Sequence, residues 1–118
     1  MHEITMRIKQ QLTLAEKQLD QSAEIARCLV SLRIARHVRQ SEAALRAGLS
    51  RGTAQRIEKG DPGVAIGSLL RYLNAIAPDC TLLQLLNRTD PALITFESRL
   101  RPQRVRDLTA AEMKELDF

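Results

Sequence analysis

The chain has 118 residues, of which 44% are hydrophobic, with one Tyr, two Phe and no Trp, and its formal net charge is +4. This length accommodates one compact domain with an appended element, and a core built from Leu, Ile, Val and Ala is typical of a helical bundle. No apolar run is long enough to cross a membrane and no signal-peptide region is evident, so we expect a cytoplasmic protein.

Residues 1–26 carry an apolar stripe with a period of 3.6 residues, which predicts an amphipathic N-terminal helix. Thr13 and Glu16 have the spacing of a capping box, which predicts a break near residue 13, and a kink around residues 20–22 is the alternative. We expect this helix to serve packing or dimerisation, because its apolar stripe must be covered.

The excess positive charge is concentrated in residues 27–59, where eight cations stand against two acids and give a net charge of +6. Such a focus of charge is the electrostatic pattern expected of an element that binds a polyanion. The eight cations are Arg27, Arg33, Arg36, Arg39, Arg46, Arg51, Arg56 and Lys59.

Five helices are expected within residues 27–87, which we assign to one domain. The first continues from Leu29 towards Val38, and the others lie at about 40–47, 51–59, 66–77 and 81–86. The third ends at Gly60, because the proline that follows two residues later cannot continue a helix.

Residues 88–118 form a C-terminal extension whose sequence pattern differs from that of the preceding helices. Residues 93–96, Leu-Ile-Thr-Phe, are the only strand-like run, and we expect a short β-strand that pairs with a second copy of the chain or remains irregular. Thr109 and Glu112 have capping-box spacing and predict a weak terminal helix.

Residues 40–60 contain the features that a helix-turn-helix requires. Ala44 is a small residue where two helices would cross, and Gly48, four residues later, tolerates positive φ at the corner. Ala43 or Leu45 would anchor the helix before the corner to the core. Ser50 is placed to cap the helix after it.

The segment RQSEAALRAGLSRGTAQRIEKG, residues 39–60, resembles the lambda-repressor/Cro (Xre-type) helix-turn-helix family. The resemblance covers about residues 27–86. It implies an all-α, five-helix lambda-repressor-like domain, here with an extra N-terminal helix and a short C-terminal extension. The identical positions are Gln40, Ala44, Ala47, Gly48, Ser50, Ile57, Glu58 and Gly60.

The resemblance also implies a structural ion pair between Glu58 and an arginine of the first domain helix, which by spacing is Arg33. Four positions depart from the family pattern, and two of them, Ala43 and Ala54, replace the usual Leu and Ile and make the expected core smaller. Arg39 stands where the family has a capping Ser or Thr, which predicts a frayed or shifted start of the helix at 40. Gly52 stands where a base-reading side chain is common.

We expect the helix after the corner to read DNA bases through Arg51, Thr53, Gln55 and Arg56. Arginine presents a fork of N–H donors to guanine, while Thr and Gln suit a thymine methyl and an adenine edge. The expected phosphate ligands, at or near the ends of the two helices, are Gln40, Arg39, Arg36, Ser50 and Lys59.

Enzymatic and metal chemistry are not expected. Cys28, Cys80, His2 and His37 are isolated, without the spacing of a zinc site, and we expect no metal and no cofactor. The chain has no Ser/His/Asp set, no HExxH and no glycine-rich phosphate loop beside a strand, so we expect no enzyme.

The sequence therefore predicts a regulator of transcription that binds double-stranded DNA as a homodimeric repressor on a two-fold operator. The N-terminal helix and the segment around Phe96 are both candidates for the dimer interface. The alternative is an antitoxin that represses its own operon and binds a toxin through a terminal extension, because the GDPGV stretch and the extension resemble HipB-like antitoxins.

Overall fold

The computed structural model describes residues 14–100, which form six α-helices and contain no β-strand. No helix within this range is both long enough and apolar enough to cross a membrane. The helices, numbered in chain order, are α1 (Glu16–Ala35), α2 (Gln40–Ala47), α3 (Arg51–Glu58), α4 (Ile66–Ile76), α5 (Leu82–Asn87) and α6 (Pro91–Leu100).

Helix α1 runs without interruption through the boundary predicted after residue 26 and through the alternative kink at 20–22. It contains no Gly or Pro, and its buried side chains, including Ala26, Leu29 and Leu32, continue one helical stripe across that point. The helix begins at Glu16, where the Ala15 N–H donates to Gln18 Oε1 at 2.9 Å. The predicted capping residue Thr13 lies outside the described residues, as does the predicted terminal helix after residue 109.

Helices α2 and α3 are joined by a corner of three residues, 48–50. Gly48 adopts φ +69°, and a Cβ at this position would come no closer than 3.8 Å to the Arg71 guanidinium, so the backbone conformation and not the space requires glycine. Ala44 is buried, as predicted, and of the two candidate anchors it is Ala43 that is buried, while Leu45 is 82% exposed.

Both helices are capped. Ser50 Oγ accepts a hydrogen bond from the Thr53 N–H at 3.1 Å, which is the predicted cap of α3. Helix α2 starts at Gln40 without a capping side chain from Arg39, and the Glu42 carboxylate instead accepts from the Arg39 N–H at 3.3 Å. The predicted fraying at Arg39 is therefore absent from α2, because the third residue of the helix supplies the hydrogen bond.

The core is aliphatic apart from Tyr72, Cys28 and Cys80, and it lies between α1, α4 and the short helices that cover them. Leu29 and Leu32 of α1 pack with Leu73 of α4, and Leu85 of α5 and Leu93 of α6 close the cluster. The side chains from α2 and α3 are the small Ala43, Ala44 and Ala54 and the larger Ile57. Small residues let these two helices lie close to α1 and α4.

The strand predicted at 93–96 is wrong, because these residues belong to α6. Asp90 caps this helix, since its carboxylate accepts from the Leu93 N–H at 3.1 Å, and Pro91 occupies the first helical position, where its missing N–H costs nothing. Leu93 is completely buried against the core. The cap and the buried leucine together outweigh the β-propensity of Ile94, Thr95 and Phe96.

Candidate nucleic-acid interface

Helix α3 turns one face to the core and the opposite face to solvent. Ala54 and Ile57 are buried, whereas Arg51, Gly52 and Gln55 are exposed. Lys59, directly after the helix, is exposed as well. We refer to Arg51, Gly52, Gln55 and Lys59 as the outer face of α3, a polar surface about two turns long.

An ion pair under this helix fixes its C-terminal end. Arg33 of α1 is fully buried, and its Nε and Nη2 donate to the two carboxylate oxygens of Glu58 at 2.6 and 3.1 Å. Its Nη1 donates to the Val38 carbonyl at 3.1 Å. The Arg33–Glu58 pair is the one predicted, and hydrogen bonds on three guanidinium nitrogens compensate the loss of water around the buried charge.

Two further side chains converge on Glu58, and neither contact was predicted from the sequence. Gln40 Nε2, at the first residue of α2, donates to Glu58 Oε1 at 2.9 Å, and the Tyr72 hydroxyl of α4 donates to Oε2. Gln40 was predicted as a phosphate ligand, but its amide is engaged inside the protein. The chain has a single tyrosine, and since a buried tyrosine hydroxyl usually has a hydrogen-bond partner, its place in the amphipathic segment 66–77 was a usable signal.

The cations of residues 27–59 fall into two groups, those that make hydrogen bonds or ion pairs within the described part of the chain and those that make none there. Within residues 14–100, the side chains of Arg39, Arg51 and Lys59 make no hydrogen bond or ion pair and are exposed. Arg39 and Arg51 line one shallow cleft between α2 and α3, whose walls include Ala44 and Ala54. Two of the predicted DNA-contacting arginines are thus brought together at the surface.

Arg36 is engaged elsewhere, which argues against its predicted role as a phosphate ligand. Its guanidinium donates to Asp79 at 3.1 Å and pairs with the buried carboxylate of Asp90. Burial by itself raises the pKa of Asp90, but hydrogen bonds from Arg36 and from the Leu93 N–H outweigh it and hold that pKa below its usual value. Arg36 therefore connects α1 to the start of α6.

The Arg56 guanidinium is not free to donate two hydrogen bonds to a base, contrary to the prediction. Its Nε donates to Asp61 Oδ2 at 2.7 Å, its side chain is only 35% exposed, and its Nη2 is buried with no hydrogen-bond partner in the described part of the chain. The Asp61 carboxylate also accepts from the Gly63 N–H at 2.8 Å. Arg56 thus links the end of α3 to the turn that follows, and a two-nitrogen contact with guanine is not available from this conformation.

Ser50 and Thr53 are engaged with each other. In addition to the capping bond, the Ser50 hydroxyl donates to Thr53 Oγ1 at 2.9 Å, and Thr53 is only partly exposed. These two hydroxyls stabilise the start of α3, whereas Arg51 and Gln55 lie on its outer face with exposed polar ends.

The predicted residues that are exposed and whose side chains have no hydrogen-bond or ion-pair partner within residues 14–100 are Arg39, Arg51, Gln55 and Lys59, all on α3 or next to the ends of α2 and α3. Comparison of the chain with models of protein families, with curated proteins and with solved structures gives no match. The chemistry of this interface is therefore the basis for a functional proposal.

Proposed function

We propose that the chain is a transcriptional regulator that binds double-stranded DNA in a sequence-specific manner through α2 and α3. In this proposal residues 27–87 form a lambda-repressor-like domain, and α3 enters the major groove, whose width of about 12 Å admits one α-helix. The single observation that carries the proposal is the outer face of α3, a rigidly supported helix surface whose cations at both ends have no partner within residues 14–100.

Rigid support matters because an isolated helix of eight residues is not stable in water. Helix α3 is held by its buried Ala54 and Ile57, by the Ser50 cap and by the hydrogen bonds that converge on Glu58. These contacts all lie on one side or at the ends of the helix. They leave the outer face free for a partner.

The roles follow from the chemistry of the unpaired groups. Arg51 suits guanine, because its guanidinium can donate two hydrogen bonds to O6 and N7, and Gln55 suits the N6/N7 edge of adenine. Arg39 and Lys59 lie at the two ends of this region, where the phosphate backbones on both sides of the groove would pass. Gln40, Arg36 and Arg56 have structural roles in this proposal.

We propose further that the operator is bound by a homodimer and that binding represses transcription. A single module of this size buries little DNA, and two modules on a two-fold site, with half-sites about 34 Å apart, supply the missing contact area. Light scattering of the full chain alone and with DNA measures the stoichiometry. A strictly monomeric complex with a single half-site would contradict this part of the proposal.

The decisive experiment is selection of bound duplexes from a random DNA pool by the full chain, followed by titration of the enriched sequence. We expect R51A to lower affinity for that sequence at least tenfold, the equivalent of about 1.4 kcal/mol. The control is R27A, which removes another exposed arginine, from α1, where it pairs with Glu24. Failure to enrich any sequence, or equal losses in R51A and R27A, would refute the proposal.

A further inference from the structure

Gly52 is the second residue of α3 and lies on its outer face between Arg51 and Gln55. Within residues 14–100, no contact and no backbone conformation requires a glycine there. Its backbone is helical, and a Cβ built on it would meet only Ser50 Oγ, at an ordinary distance of 3.9 Å. Gly60 differs, because its φ is +79° and a Cβ would lie 2.8 Å from the Ala23 Cα.

Folding alone would favour a side chain at position 52. Glycine is the least favourable residue after proline within a helix, since it loses the most backbone entropy, and α3 has only eight residues. Because glycine has no side chain, the outer face has a gap at position 52. A partner that approaches this face can contact the helix backbone there. Polar side chains that can donate hydrogen bonds flank the gap.

We infer that this gap receives the C5-methyl group of a thymine, so that Gly52 is a specificity-determining residue. The inference rests on the proposed DNA binding. The thymine methyl is the apolar group that a base pair presents in the major groove, and it projects towards an inserted helix. In the inferred arrangement the methyl group lies against the exposed Cα of Gly52, in the space that a Cβ at this position would fill.

The first test compares two glycine variants. G52A and G67A each replace an exposed glycine at the second position of a helix, and a Cβ at Gly67 meets nothing within 4 Å. Both substitutions are expected to raise the melting temperature, because alanine favours the helix. Only G52A is expected to lower affinity for the selected duplex, by tenfold or more, and equal affinities for the two variants would overturn the inference.

The second test removes the methyl group from the DNA. Each thymine of the selected site is replaced in turn by deoxyuridine, which keeps the Watson–Crick pairing and lacks the C5-methyl. At one thymine per half-site the wild-type protein should lose about fourfold in affinity, the equivalent of one buried methyl group. At that same position G52A should bind deoxyuridine DNA more tightly than thymine DNA, because the added Cβ no longer meets a methyl.

The two proposals fail in different ways. If the wild-type protein selects no sequence, the DNA-binding proposal fails and the assignment of Gly52 fails with it. If the wild-type protein selects a sequence but no thymine shows the reversed preference in G52A, the assignment of Gly52 alone is overturned. A reversal at one thymine with unchanged behaviour of G67A would establish it.

Discussion

Arg33 and Glu58 lie 25 residues apart in the sequence and form a two-pronged ion pair, with Nε–Oε2 and Nη2–Oε1 distances of 2.6 and 3.1 Å. Tyr72 and Gln40 donate to the same carboxylate. Four helices, α1 to α4, therefore meet at Glu58. Any motion of α3 relative to the others would break hydrogen bonds to a largely buried charge, which is why the outer face of α3 has a defined orientation.

We expect R33A to lower the free energy of unfolding by about 3–5 kcal/mol, because it leaves the Glu58 charge buried without its main partner. Urea denaturation of the full chain measures this change. The control is R46A, which removes the exposed partner of Glu42 and should change stability by no more than about 0.5 kcal/mol. Similar losses in the two variants would show that the buried pair contributes little.

Acidic pH should weaken the attachment of α6 through Asp90. Because the pKa of Asp90 is lower in the folded protein than in the unfolded chain, its ionised form stabilises the fold above the unfolded pKa, about 3.9, and this contribution is lost as pH falls through the folded pKa. Urea midpoints between pH 2 and pH 7 should therefore fall less steeply in D90N, since asparagine keeps the helix cap but has no charge to lose.

The control for this experiment is D79N, because Asp79 contacts the same arginine from a position where its side chain is 75% exposed. Its acid profile should follow that of the wild-type protein. If D90N also follows the wild-type profile, the pairing of Asp90 with Arg36 does not contribute to acid sensitivity.

Arg56 should behave as a structural residue and not as a base reader. We expect R56A to lower affinity for the selected duplex less than threefold while it destabilises the fold by about 1 kcal/mol, since the half-buried contact with Asp61 is lost. Fluorescence anisotropy titrations of R56A and R51A with the selected duplex distinguish the structural role from the base-reading role. A loss in R56A as large as that in R51A would mean that Arg56 leaves Asp61 in the complex and contacts DNA.

Lys59 should contribute one phosphate contact. We expect K59A to weaken binding to all duplexes alike and to reduce the slope of log affinity against log salt by about 0.9. The matched comparison is R99A, an exposed cation of α6 away from α2 and α3, whose slope should equal that of the wild-type protein. An unchanged slope in K59A would contradict the phosphate assignment.

The elements that depend on local chemistry could be predicted from the amino-acid sequence. Three kinds of residue act on the neighbouring backbone, so their effects can be predicted from spacing. They are a glycine at the corner, a serine three residues before the N–H that it caps, and small residues spaced along two helices. The structure has the predicted corner at Gly48, the predicted helix cap at Ser50 and the predicted small buried residue at Ala44. Helix α4 ends one residue before its predicted range, and α5 begins and ends one residue later than predicted.

The charges that are available to a partner depend on long-range packing and could not be predicted from the sequence. The sequence placed eight cations in one window, but each guanidinium is free or paired according to the carboxylates that distant segments bring to it. Asp90 reaches Arg36 across 54 residues, and Glu58 takes the amide of Gln40. Long-range packing also explains why α6 is a helix and not a strand. The burial of Leu93 against the core outweighs the local β-propensity of residues 94–96.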